Sequence, residues 1–356
     1  MNKRAIRIIV DCQYGSTGKG LIAGYLAERD KPDTLVTAWA ANAGHTYIDR
    51  AGRKFVHTML ANGVVSPGLE RVLLGPGSIL NLDNLLAEIK SCHDLIIDNE
   101  IPIYCHANAA VITQQHRDEE EGPMTLIGST KKGCGAAAIQ RIRRNPNDMN
   151  TALQLLNNHP VSEFVRVVTP MEYATVLDDA QIVQVEGAQG FSLSMYHGFY
   201  PYTTSRDVST AQILADCAIP FSGYGGLSVL GTCRTYPIRV ANRFNSEGIQ
   251  VGWSGPIYPD QEETTFESLS QPVELTTVTK LPRRIFTFSQ QQVAEAVRMC
   301  GVNEIFLNFC NYIREEVEFN RINNMIEKSA PIVYEGWGPT ANDINDYSNL
   351  YAKFQP

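Results

Sequence analysis

Apolar runs rich in β-branched residues punctuate the chain: AIRIIVD (5–11), TLVTAW (34–39), RVLLG (71–75), IPIYC (101–105), QIVQVEG (181–187), LSVLGT (227–232) and EIFLNF (304–309). A strand that is apolar on both faces must be covered on both, and in a parallel sheet the crossover helices do the covering. Helix-like stretches lie between several of these runs, at 19–29, 82–91, 150–158, 208–216 and 289–300. The alternation predicts an α/β fold with a largely parallel central sheet covered by helices. No internal repeat or linker-like segment interrupts it. The polar, turn-rich stretch 241–273 is expected as a surface excursion rather than a boundary, so that 1–356 form one domain with insertions.

Composition narrows the function. The 356 residues carry a net charge of -8, which argues against a general nucleic-acid-binding surface. A phosphate ligand must then be met by local donors. The eight cysteines (12, 92, 105, 134, 217, 233, 300 and 310) form no C-x-x-C pair, and histidine is equally scattered. That pattern argues against zinc and fits reduced thiols in a cytoplasm. The start, MNKRAIRIIVDC, is basic, but Arg7 breaks its apolar run, so it reads as a first strand and not a signal peptide. Nothing approaches a membrane span. The acidic run Arg117–Gly122 is expected as a solvated helix face rather than a metal site.

Five stretches carry candidate chemistry. In YGSTGKG (14–20), Gly15, Gly18, Lys19 and Gly20 stand between a strand and a helix, an arrangement that aims backbone N–H groups at an anion. The spacing is not that of a Walker A loop, and a plain strand–helix turn reads equally well. AANAGHTYID (40–49) offers Asn42, Gly44, His45 and Thr46 after the second strand. If the first two strands are neighbours, His45 lies near Lys19, where an imidazole can stabilise charge on a transferred phosphoryl group. GSTKKGCGAAAIQRIRRNP (128–146) is either a basic surface helix or a set of hydroxyl and guanidinium donors for a nucleotide. VEGAQGFSLSMYHGFYPYTTSRD (185–207) suits either a base edge and a phosphate or a packed aromatic turn. VELTTVTKLPRRIF (273–286) places Arg283 beside Arg284, a pairing suited to a dicarboxylate and equally possible on a solvated loop.

Together and in this order, the five stretches resemble the adenylosuccinate synthetase family, from Gly15 to about Pro339. YGSTGKG stands where the family has W-G-D-E-G-K-G, and NAGHT matches outright. EGAQG…HGFYPYTTS resembles E-G-A-Q-G…H-G-T-Y-P-Y-V-T-S, and RTYPIRV (234–240) resembles K-A-Y-S-T-R-V. The resemblance implies the family's fold, related to P-loop NTPases, and a carbon–nitrogen ligase. A triphosphate phosphorylates the purine 6-oxygen, and the aspartate amine then displaces phosphate at C6. By similarity, Gly15, Thr17, Gly18, Lys19, Gly20, Gly44, His45 and Thr46 hold the phosphates, with Ser16, Lys19 and His45 as catalytic positions. Ser16, Asn42, Ser129, Thr130, Gln189, Leu193, Thr204 and Val240 hold the purine monophosphate, and Arg144 reaches it from the neighbouring subunit of a homodimer. Thr277, Thr279 and Arg283 hold aspartate. Ser16 and Gly44 ligate Mg²⁺, and Asn311, Gly338 and Pro339 flank the base of the triphosphate.

Three departures bear on the substrate. Ser16 replaces an aspartate that takes the purine N1 proton, and serine is a poor base at neutral pH. It does leave room beside a 2-amino group and can accept its hydrogen bond. Leu281 stands where the family has an arginine that meets the ribose 2′-hydroxyl, and Asn311 replaces an aspartate that reads guanine. These changes resemble the phage branch of the family and imply dGMP, L-aspartate and ATP or dATP as substrates. Two alternatives are a synthetase acting on IMP and a nucleotide sensor that has lost turnover.

Overall fold

The computed structural model describes residues 4–42, 44–120, 131–220, 225–276 and 280–351. Among them, ten strands form one central sheet, in the spatial order Ile344–Asp346, Ile332–Gly336, Glu304–Asn308, Gly226–Arg234, Ala5–Asp11, Ile182–Glu186, Thr34–Thr37, Arg71–Leu74, Ile103–His106 and Val165–Val168. Every adjacent pair is parallel except Ile344–Asp346, which runs against Ile332–Gly336. The seven apolar runs all fall in this sheet, and Val165–Val168, Ile332–Gly336 and Ile344–Asp346 extend it to either side.

Burial on both faces follows from alternation along each strand. Ile9 packs on one face with Leu21, Ile22 and Leu26 of the helix Lys19–Asp30. Ile8 and Val10 point to the other, against Ile213 of Thr210–Asp216 and Val293 of Gln290–Cys300. The helix Lys19–Asp30 is backed by the hairpin His45–Ile48/Lys54–His57. A methyl at Gly24 would sit 2.4 Å from the Tyr47 ring, so this close packing depends on the glycine. The expected helix at 150–158 is one turn, Ala152–Leu155, followed by a 3₁₀ turn. Its asparagines and Pro160 cannot prolong it.

The excursion at 241–273 is less superficial than its polarity suggests. Glu263–Thr264 pairs with Arg284–Phe286, which pairs in turn with Ile238–Arg239. Tyr258 and Phe266 are buried, and Tyr258 joins Tyr14 and Phe286 in an aromatic cluster beneath the glycine loop. A few aromatic side chains anchor a stretch whose average composition reads as solvated.

Candidate active site

The carboxyl ends of Ala5–Asp11, Ile182–Glu186, Gly226–Arg234 and Glu304–Asn308 lie side by side, and the chain segments that follow them meet there. Asp11 ends the first strand fully buried. Its carboxylate accepts from the backbone N of Gln13 (2.9 Å) and Gly15 (3.2 Å), from Thr17 Oγ1 (2.5 Å) and from Lys19 Nζ (2.9 Å). The loop therefore wraps around one carboxylate, which is spent on holding it. Gly15 and Gly18 take φ values of +93° and +94°, open to glycine at little cost. A methyl at Gly18 would sit 2.1 Å from Asn308 Nδ2. Gly18 gives the helix Lys19–Asp30 no side-chain cap, so its first N–H groups are left to meet an anion. Ser16 stands exposed at the loop's tip with φ +59°.

A second turn closes against this loop. Lys19 Nζ also donates to the Gln189 carbonyl at 2.8 Å. A methyl at Gly190 would sit 2.2 Å from the Gly15 nitrogen, so the two turns touch backbone to backbone. Gln189 takes φ +66°, and its Nε2 is buried with no partner among the described residues. A buried amide N–H without an acceptor is costly, and this atom is available to a ligand's oxygen or ring nitrogen.

His45 arrives by a different route from the one the sequence suggested. The strands Ala5–Asp11 and Thr34–Thr37 are not neighbours, because Ile182–Glu186 lies between them. His45 instead opens the hairpin on the helix Lys19–Asp30, where its Nδ1 lies 2.7 Å from Glu186 Oε1 at the end of that intervening strand. Glu186 also accepts from the backbone N of Asn62 (2.8 Å) and from its side-chain amide (3.3 Å). Trp39 lies against the imidazole at a centroid distance of 4.2 Å and donates to the Glu186 carbonyl at 2.6 Å. The ring is thus fixed through Nδ1, leaving Nε2 as its working atom. Nothing in the run EGAQG marks Glu186 for this task.

On the far side of the loop the strand Gly226–Arg234 leads to Arg239 and Val240. The Arg239 guanidinium lies 4.7 Å above the Tyr14 ring and donates to the carbonyls of Tyr202 (3.1 Å) and Pro256 (2.9 Å), while burial pushes it down to about 10. Leu193 and Thr204 are joined by a backbone bond of 2.7 Å. Of the paired arginines, Arg284 is spent on Glu263, Ser254 and Gly255. Arg283 is half-buried and its side chain donates no hydrogen bond among the described residues, so it alone offers a free fork. Burial holds it below its usual range, with Glu274 drawing it back up.

Several expected residues stand apart. Arg144 is exposed beyond the helix Cys134–Arg143, and Asn311 is exposed after the strand Glu304–Asn308. Gly338 packs against Asp343. Asn42, Gly44 and Thr46 flank His45, whereas Ser129, Thr130, Thr277 and Thr279 lie outside the described residues. In the acidic run, Asp118 and Glu119 are exposed as expected and Arg117 is half-buried. Glu120 is the exception: it is buried and accepts from the backbone N of Gly133, Gly135 and Ala136, capping the next helix.

Comparison with known proteins agrees with this architecture. A family model described as adenylosuccinate synthetase matches residues 8–166 and 159–322, and the chain belongs to that family. Within it, the chain is 54% identical to the N6-succino-2-amino-2'-deoxyadenylate synthase of Salmonella phage PMBT28, over 97% of this chain and 98% of that protein. The solved structure of the cyanophage S-2L succinoaminodeoxyadenylate synthetase, bound to dGMP and dATP as an energy donor, matches with a TM-score of 0.90 at 44% identity. It covers 99% of this chain and 100% of that one. The adenylosuccinate synthetase of Methanocaldococcus jannaschii is 28% identical over 96% of both proteins.

Proposed function

We propose that this chain is a ligase that joins L-aspartate to C6 of dGMP at the expense of ATP or dATP, giving 2-amino-2′-deoxy-N6-succinyladenylate. The observation that carries this reading is at the tip of the phosphate loop. The position where the family has a carboxylate holds an exposed, uncharged Ser16, and Asp11 beneath it is fully occupied by the loop. A 2-aminopurine then meets neither bulk nor negative charge beside its amine. The similarity to phage enzymes named for this product points the same way.

The γ-phosphoryl group passes to the purine 6-oxygen; the aspartate amine attacks C6, and the C6–O bond breaks as phosphate departs. Lys19 and the loop amides hold the transferring group. His45, fixed by Glu186 through Nδ1, donates from Nε2 to the 6-oxygen as charge develops there. The unpartnered Gln189 amide, with Asn42, Ser129, Thr130, Leu193, Thr204 and Val240, holds the purine nucleotide. Arg283, with Thr277 and Thr279, takes the aspartate carboxylates. Asn311, Gly338 and Pro339 flank the energy donor's base.

The Ser16 hydroxyl and the exposed Gly44 carbonyl are hard oxygen donors, and no group of three acidic, His or Cys side chains competes for a cation among the described residues. That sparse set fits Mg²⁺, which prefers few protein oxygens together with substrate phosphates. Bound there, it would neutralise phosphate charge. Arg144, exposed beyond its helix, is free to reach the site of the neighbouring subunit of a homodimer, as the family resemblance implies. The whole chain acts as one synthetase domain.

The test is turnover of dGMP, GMP and IMP, each with ATP, Mg²⁺ and L-aspartate, read as the mass of the succinyl adduct. dGMP is expected to lead; turnover with IMP alone would overturn the reading. Ser16→Asp should shift the preference from dGMP towards IMP by about tenfold or more, and an unchanged ratio would clear the serine of selecting the base.

A further inference from the structure

One guanidinium sits where three segments of the site meet. Arg234 ends the strand Gly226–Arg234 and is fully buried. Its main chain is clamped by one amide side chain: Arg234 N donates to Gln13 Oε1 at 2.8 Å, and Gln13 Nε2 returns a bond to the Arg234 carbonyl at 3.1 Å. Its Nη2 meets Glu274 Oε1 at 2.5 Å and its Nη1 meets Glu274 Oε2 at 3.3 Å. The same Nη1 donates to the Ser16 carbonyl at 3.3 Å. The face of Phe309 lies 3.8 Å from the guanidinium carbon, and Tyr312 donates to Glu274 Oε1 at 2.9 Å.

Each contact belongs to a segment with its own substrate under the function proposed above, on which this inference rests. Ser16 is the tip of the phosphate loop. Glu274 opens the aspartate segment, and its carbonyl accepts from the Arg283 N–H at 2.9 Å. Phe309 begins the turn that leads to Asn311, and its N–H donates to Asn308 Oδ1, while Asn308 Nδ2 reaches the Thr17 carbonyl.

We propose that Arg234 is a positioning residue that couples aspartate binding to occupancy of the phosphate loop. A ligand that fixes the loop fixes the Ser16 carbonyl, and with it the guanidinium plane. The plane holds both oxygens of Glu274, and through that residue's carbonyl the backbone of Arg283. Aspartate then meets a segment already ordered by nucleotide. The chemistry requires arginine. A planar fork can hold a carboxylate, bond a third oxygen and stack on an aromatic face at once, whereas an ammonium is a point charge without a plane. In the family segment that RTYPIRV resembles, the corresponding residue is lysine, so this chain has the bridging group in place of a point charge.

The experiment measures the KM for L-aspartate at low and at saturating ATP, in the unaltered protein and in Arg234→Lys and Glu274→Gln. It uses whichever purine monophosphate the unaltered protein turns over. A failure on dGMP therefore overturns the substrate reading and leaves the coupling measurable; with no turnover at all, equilibrium dialysis of labelled aspartate with and without ATP reads it directly. Saturating ATP is expected to tighten aspartate by about fivefold or more in the unaltered protein. In both variants that dependence should vanish and the aspartate KM should rise by about tenfold, while the KM for the purine nucleotide stays within about twofold. Absence of ATP dependence in the unaltered protein would overturn the proposal, as would variants in which all KM values rise alike. Glu274→Gln keeps the side chain's shape, so it carries the test if Arg234→Lys does not fold.

Discussion

The proposed phosphate loop and the proposed aspartate segment lie on either side of Arg234 and are held in different ways. The loop is organised from within: one buried carboxylate accepts from two backbone amides, a hydroxyl and an ammonium over residues 11–19. The aspartate segment closes on itself by backbone bonds, Thr276 N to Leu281 O and Arg283 N to Glu274 O, both 2.9 Å, and is tied outward through the Glu274 contacts with Arg234 and Tyr312. Arg283, the residue proposed for the aspartate carboxylates, makes no side-chain hydrogen bond of its own among the described residues. Under the proposed function, the phosphate site is held around a buried charge, whereas the dicarboxylate site reaches the rest of the site through the Glu274 side chain.

The sharpest way to break the contrast is to unmake the loop. In Asp11→Asn the Lys19 ammonium, 5% exposed, loses its counter-charge. Breaking such a buried pair should cost about 3–5 kcal/mol, read as a lower denaturant midpoint, with most of the activity lost as well. Arg283→Ala should act only on the other side. It removes charge-assisted bonds worth about 1.5–3 kcal/mol, so the aspartate KM should rise by roughly tenfold to a hundredfold, while the melting temperature falls only slightly through the lost attraction to Glu274. A fall as large as that of Asp11→Asn would erase the contrast.

The smallest effect concerns pH. Burial alone would raise the Glu274 carboxyl, but the Arg234 charge and hydrogen bonds, Tyr312 and Arg283 together hold it below the usual carboxylate range. A carboxyl lowered in the folded state stabilises that state above its unfolded pKa, and the contribution is lost as pH falls through the folded value. The gap in melting temperature between the unaltered protein and Glu274→Gln should therefore be full at neutral pH and close below about pH 4. A gap that persists in acid would place the contribution outside this ionisation.

Much of the fold was legible because burial on both faces leaves an apolar run that survives without context. Ala5–Asp11 and Gly226–Arg234 were visible in this way. Val165–Val168 was not, since Arg166 interrupts an edge strand of four residues. The loop's glycines were legible because their spacing reports backbone geometry. Glu186 was harder to see, because a buried glutamate that orients a histidine has the same letter as a solvated one. The pair Arg234–Glu274 left no local signal at all: the partners lie forty positions apart, and only the fold brings the loop bearing Glu274 against the end of the strand Gly226–Arg234. The two adjacent arginines could not be told apart by sequence: Arg284 is bonded to Glu263, whereas the Arg283 side chain donates no hydrogen bond among the described residues.

The backbone contact between Gly15 and Gly190 has a consequence for how such enzymes can change. With no side chain between them, neither turn can shift without the other, although 175 residues separate them in the chain. A chimera that imports only the phosphate loop from a distant relative inherits half of a matched surface. The two turns form one unit of inheritance, and a redesign of base preference has to transplant both.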